Sequence, residues 1–201
     1  YYEVISGTKH DTHKAVTHAL EGLNALESST TYPLLLKLFS MRYEGQLNSR
    51  SLAEAIEMLR GFIMRRFITS QSSRGYGRLF LRACKLKHDD SLEELNKFLI
   101  ARTWPDDRRF QEAFVQFPLY ERGYSRHILE TLERASLHKE PADLTESQIE
   151  HIMPQTLNDV WRKELGDEWE RIHVDWLHRP GNLALTGYNA PLSNAPFEKK
   201  R

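Results

Sequence analysis

Through the first two-thirds of the chain, apolar residues recur every three or four positions, a spacing that predicts helices. Residues 12–26 place Val16, Ala19, Leu20, Leu23 and Leu26 on one face, with Gly22 as the weak point. Pro33 suits the first turn of a helix over 34–43, where its missing amide hydrogen has no helical partner to lose. Ser51-Leu52-Ala53-Glu54 reads as a capping box opening a helix to about residue 68, with Ala55, Ile56, Leu59 and Ile63 inward. A Ser/Gly-rich stretch over 70–77 breaks the pattern, and 79–86 resumes it. Ser91-Leu92-Glu93-Glu94 is a second capping box, ahead of Leu95, Phe98 and Leu99. Phe110, Phe114 and Phe117 mark a short helix, and residues 125–135, with Ile128, Leu129 and Leu132, another.

After Pro141 the texture changes. Residues 149–153 are short, apolar and closed by Pro154, which suits a strand. Two Trp-bearing amphipathic helices are expected over 156–165 and 167–177, then a second strand between Gly181 and Gly187. Ser193 is placed to cap a last helix running through Phe197 to Lys199-Lys200-Arg201. The expected organisation is mainly α: a helical region over 1–140, then a compact strand–insert–strand–helix unit over 141–201.

Composition changes this picture little. The 201 residues are 40% apolar and 28% charged, an ordinary globular mixture, and no apolar run is long enough to span a bilayer. Cys84 stands alone, which excludes an internal disulfide framework and a four-cysteine zinc site and fits a reducing cytoplasm. A start at Tyr1-Tyr2-Glu3-Val4, with neither initiator Met nor signal-peptide pattern, reads as a piece of something longer.

Charge matters more. The totals balance at 28 basic and 28 acidic residues, yet 58–88 contains no Asp or Glu. It holds Arg60, Arg65, Arg66, Arg74, Arg78, Arg82, Lys85 and Lys87. Such a block is what attraction to a phosphate backbone requires, with a solvated helix face as the plain alternative. Tyr76, in the glycine-bearing loop, is a candidate to lie against a sugar or base.

Chemistry concentrates in Ile149-Glu150-His151-Ile152-Met153-Pro154-Gln155. Neighbouring strand residues face opposite sides, so one side chain can hold a metal while the other works as a base. About thirty residues later come Gly181-Asn182-Leu183-Ala184-Leu185-Thr186, then Asn189 and Asn194. Their carboxamides suit loop-fixing hydrogen bonds or neutral oxygen ligation of Mg²⁺. His10, His13 and His18 lack a carboxylate or cysteine set and read as exposed, while Trp161, Trp169 and Trp176 read as core. Cys84 reads as an inert packed thiol.

Together these strings resemble the HNH, or His-Me finger, nuclease motif. More narrowly, residues 149–155, Trp161, His178-Arg179-Pro180-Gly181-Asn182-Leu183, Tyr188-Asn189, Leu192-Ser193-Asn194, Phe197 and Lys199 resemble the C-terminal domain of GmrSD-type restriction endonucleases. Trp104-Pro105-Asp106, Phe110 and Tyr120 extend the resemblance, so that it covers about 85–201. The Arg65-Arg66 region resembles the family's helical linker.

The resemblance implies a ββα-metal fold and a metal-dependent DNA endonuclease or nickase serving restriction of phage or foreign double-stranded DNA. His151 would deprotonate water, Glu150 and Asn189 would hold Mg²⁺ or Mn²⁺, and Asn182 would pin the loop carrying His151. Lys199 falls at a late motif position with a catalytic role, and Asn194 and His178 are expected to support the site. Arg65, Arg66, Arg74, Arg78 and Arg82 are the expected nucleic-acid contacts. No structural zinc is expected. The resemblance also implies a partner, an N-terminal nucleotide-hydrolysing sensor domain, and no Gly-rich phosphate loop of such a domain occurs here. Two other readings stay open: a DNA-binding or adaptor module with a decayed nuclease centre, and an RNase.

Overall fold

A computed structural model describes residues 1–136, 143–187 and 194–200. The chain divides into two compact units, Tyr1–Gln111 and Glu112–Arg201. The change of texture expected at 140–141 lies outside the described residues.

The first unit is built from α1 (Tyr2–Ile5), α2 (Lys14–Asn24), α3 (Tyr32–Tyr43), α4 (Ser49–Ile68), α5 (Tyr76–Ala83) and α6 (Glu93–Ile100). A seventh helix, α7 (Asp107–Gln116), crosses the division. The amphipathic faces read from the sequence are the ones buried: Val16, Ala19, Leu20 and Leu23 on α2, and Leu52, Ala55, Ile56 and Leu59 on α4. Each large apolar side chain so buried stabilises the unit by about 1.5–3 kcal/mol. Gly22 on α2 lies under the Arg60 side chain reaching across from α4, whose guanidinium a Cβ there would displace.

Both expected capping boxes are replaced. Asn48 caps α4, its side chain accepting from Ser51 N at 2.8 Å, while Ser51 Oγ turns to donate to the Asp90 carbonyl. At α6, the Ser91 hydroxyl donates to Asp89 Oδ1, and Leu92 is the cap, in the left-handed region at φ 53° with its side chain buried. Asn is as good a cap as Ser, so the residue placed to use its carboxamide wins. One ion pair is internal: Arg42 donates twice to Asp11, at 2.9 and 2.7 Å. Burial pushes the Asp11 carboxyl up, but hydrogen bonds from Arg42 and the His13 amide outweigh it and hold the group below its ordinary value.

The second unit contains α8 (Leu119–Arg122), α9 (Ser125–Ala135), β1 (Gln148–His151), α10 (Asp159–Leu165), α11 (Trp169–Trp176), β2 (Leu183–Thr186) and α12 (Phe197–Lys200). Among the described residues the only sheet is β1 paired antiparallel with β2, with His151 opposite Leu183 and Glu150 opposite Ala184. The insert between the strands has a small core of Met153, Leu157 and Trp161, flanked by Leu165, Trp169 and Ile172. Asn158 caps α10 by accepting from Trp161 N. Its amide nitrogen and the Trp161 indole N–H donate to the Asn194 and Ala195 carbonyls, each at 3.0 Å, and so hold the segment leading into α12. No described helix is long and apolar enough to cross a membrane.

Candidate active site

Strand alternation separates Glu150 from His151. Where β1 ends, Asn182 takes over the pairing. Its backbone carbonyl accepts from Ile152 N at 2.9 Å, its Oδ1 accepts from Met153 N at 2.6 Å, and its Nδ2 donates to the Met153 and Leu177 carbonyls, each at 3.0 Å. The carboxamide is buried, and it pins the turn just past His151.

His151 is only 5% exposed. Its ring meets Tyr120 edge-on at 4.4 Å between centroids and His178 at 5.7 Å, while Tyr120 and His178 stack at 12°. The Gln155 carboxamide lies 3.3 Å from Nδ1. Nε2 is buried without a hydrogen-bond partner among the described residues. Desolvation, with the positive charge of His178, Lys200 and His173 behind it, pushes the imidazole down to about 4. At neutral pH the ring is therefore uncharged and able to accept a proton. His173 itself is tied to the Pro154 carbonyl at 3.0 Å.

Glu150 faces the other way, toward α12. Lys200 Nζ donates both to Glu150 Oε1 and to the His151 carbonyl, the latter at 2.9 Å. A cation between a carboxylate and a carbonyl oxygen is hard-donor chemistry of the kind Mg²⁺ takes, and Mg²⁺ commonly uses one or two carboxylates with several waters. The residues therefore fit a divalent ion in chemical type. No group of three or more His, Cys, Asp or Glu able to hold a metal occurs among the described residues. Asn189, expected as the second ligand, lies outside them. Lys199 is exposed, and its neighbour Lys200 is the lysine that reaches the strand. Asn194 is exposed, and its carbonyl is used by Asn158.

Sequence reasoning missed Tyr120, Glu121 and Lys200 as neighbours of this site. Nothing in a helical run marks Tyr120 as facing a strand that begins at Gln148. For Lys200 the signal was present but off by one residue in a short basic helix.

The basic block separates into two kinds of arginine. Arg65 donates to the Pro105 carbonyl and Asp107 and lies over the Phe110 ring. Arg66 donates to the Tyr76 hydroxyl and to the carbonyls of Ser72, Arg102 and Thr103. These two guanidinium groups brace the first unit, where their donors are engaged by carbonyls, the Tyr76 hydroxyl and Asp107. Tyr76 is likewise buried against Phe62 and Phe80 rather than presented to a base. Arg74, Arg78 and Arg82 are exposed, and their guanidinium groups have no partner among the described residues. At helical spacing they share one face of α5 and the turn before it.

Residues 104–201 match the family model for the C-terminal domain of GmrSD restriction endonucleases. The match starts at Trp104 and does not include the part of the resemblance read from residue 85. No curated protein and no solved structure matches the chain.

Proposed function

We propose that the second unit is a ββα-metal nuclease of the HNH type that hydrolyses phosphodiester bonds in double-stranded DNA of phage or foreign origin. The observation that carries this reading is His151 itself. It is buried, held uncharged, and has a free Nε2 at the end of a strand that Asn182 locks in place.

In this reading His151 Nε2 takes the proton of the attacking water, and a neutral imidazole does so at any pH well above about 4. Asn182 keeps the ring where β1 delivers it. Glu150 and Asn189 would hold Mg²⁺ or Mn²⁺, which when bound would supply Lewis-acid stabilisation of the scissile phosphate and the leaving oxygen. Lys200 neutralises Glu150 in the absence of that ion. Arg74, Arg78 and Arg82 supply sequence-independent attraction to the DNA backbone. The reading also expects a nucleotide-hydrolysing sensor domain as partner and a cytoplasmic setting, where invading DNA is met.

Plasmid nicking in Mg²⁺ tests it, with the wild-type chain set against His151→Ala. Cutting by the wild type alone is the expected result. Equal cutting by both sinks the role of His151, and cutting by neither at high enzyme sinks the nuclease reading in favour of a binding module. Matched DNA and RNA duplexes in the same assay separate a DNase from an RNase.

A further inference from the structure

Two buried ring nitrogens of the second unit lack a hydrogen-bond partner among the described residues: His151 Nε2 and His178 Nδ1. Their rings meet at 80° with centroids 5.7 Å apart. Buried polar atoms are almost always paired, so two orphans in adjacent rings point to a ligand that supplies the missing bonds. The proposed role of His151 accounts for one orphan, since a base must keep a free lone pair.

His178 is built differently. Its Nε2 lies 3.5 Å from Glu121 Oε1, its ring stacks on Tyr120 with centroids 5.5 Å apart, and its carbonyl accepts from Tyr120 N at 3.2 Å. Helix α8 therefore holds the residue from both its backbone and its ring. With a carboxylate at Nε2, the imidazolium form presents Nδ1–H as a charged donor that has no acceptor among the described residues. A non-bridging phosphate oxygen is such an acceptor, and it takes donors at about 2.7–3.0 Å. The two unpartnered nitrogens thus sit on adjacent rings, 5.7 Å apart between centroids.

We infer that His178 is a phosphate-contacting residue of this site, donating from Nδ1 to the phosphodiester while His151 Nε2 receives the proton of the attacking water. Glu121 is a positioning residue that acts through His178, and Tyr120 sets the spacing of the two rings. The inference rests on the reading of His151 as the general base.

Inorganic phosphate, added to the metal-free wild-type chain and followed through the histidine ring ¹⁵N–¹H signals, tests it without any variant having to fold. The His178 Nδ1 signal should move saturably. Glu121→Gln should raise the half-saturating phosphate concentration about tenfold, the size of one charge-assisted hydrogen bond. In DNA cutting, His178→Gln should raise KM about tenfold and lower kcat less. A His178 signal that stays still while phosphate moves its neighbours overturns the assignment, as does a His178→Gln chain that loses kcat at unchanged KM. Failure of the base reading looks different: His151→Ala would cut at the full rate while phosphate still moved the His178 signal.

Discussion

Asn182 holds Met153 by both ends of its carboxamide, accepting from the Met153 amide at 2.6 Å and donating to the Met153 carbonyl at 3.0 Å. A side chain thus does for one residue what a neighbouring strand does for a ladder, and it does so just past His151. Asn182→Ala leaves both backbone groups of Met153 buried and unpaired, each costing about 1–3 kcal/mol. The second unit should lose roughly 2–4 kcal/mol in urea unfolding, and nicking should fall with it. Asn182→Asp restores the acceptor but not the donor, so it should lie between alanine and wild type.

The depressed His151 sets a pH dependence of stability. In the unfolded chain the imidazole titrates near 6.5, and in the folded protein near 4. Between those values the unfolded state binds more protons, so stability rises with pH through this window and is flat with respect to His151 above it. Urea midpoints of the metal-free chain should therefore fall as pH drops from about 6.5 toward 4. In His151→Phe that part of the slope should vanish, and an unchanged slope would assign the acid sensitivity to other groups.

Lys199 and Lys200 should behave oppositely. Lys199→Ala removes an exposed side chain and should leave both Tm and nicking unchanged. Lys200→Ala leaves the Glu150 carboxylate, 14% exposed, without its cation, and should lower the metal-free Tm. Added Mg²⁺ should narrow that gap by replacing the lost charge. Differential scanning calorimetry with and without Mg²⁺ decides it, and a gap indifferent to the metal would remove Glu150 from the ligand set.

The arginines of the basic block should divide by function. Replacing Arg74, Arg78 and Arg82 together should flatten the dependence of log DNA affinity on log salt by about 2–3 units, roughly 0.9 for each phosphate no longer neutralised. Arg66→Ala should instead lower stability and leave the slope intact, because its donors are bound to the Tyr76 hydroxyl and three carbonyls. Fluorescence anisotropy over a salt series, beside thermal melts, reads both. A flattened slope in Arg66→Ala would return that residue to the DNA surface.

The long helices of the first unit were legible because they bury a face whose period is written in the sequence, as Val16, Ala19, Leu20 and Leu23 show. Their exact starts were not. Ser51 carries the right side chain for a cap, but its hydroxyl donates to the Asp90 carbonyl, while the Ser91 hydroxyl both donates to Asp89 and accepts from the Glu93 amide. The strand pair was legible from its Pro and Gly boundaries, and Asn182 from its place beside β2. Contacts such as Tyr120 on His151 arise only when α8 and β1 come together, and no local periodicity encodes that meeting. The internal bonds of Arg65 and Arg66 were hidden for a related reason: charge along a sequence does not say whether a guanidinium looks outward or folds back on carbonyls.

The paired hydrogen bonds from Asn158 and Trp161 to the carbonyls of Asn194 and Ala195 make the inter-strand insert a brace for the chain leading into α12. Its indole and carboxamide are finished only by a segment that lies beyond both strands in the chain. Cutting the chain after residue 193 would strip partners from a buried tryptophan as well as removing Lys200 from Glu150. A lesion at the far end would thus be felt first as a loosened insert, and the proposed site would fail with every one of its strand residues still in place.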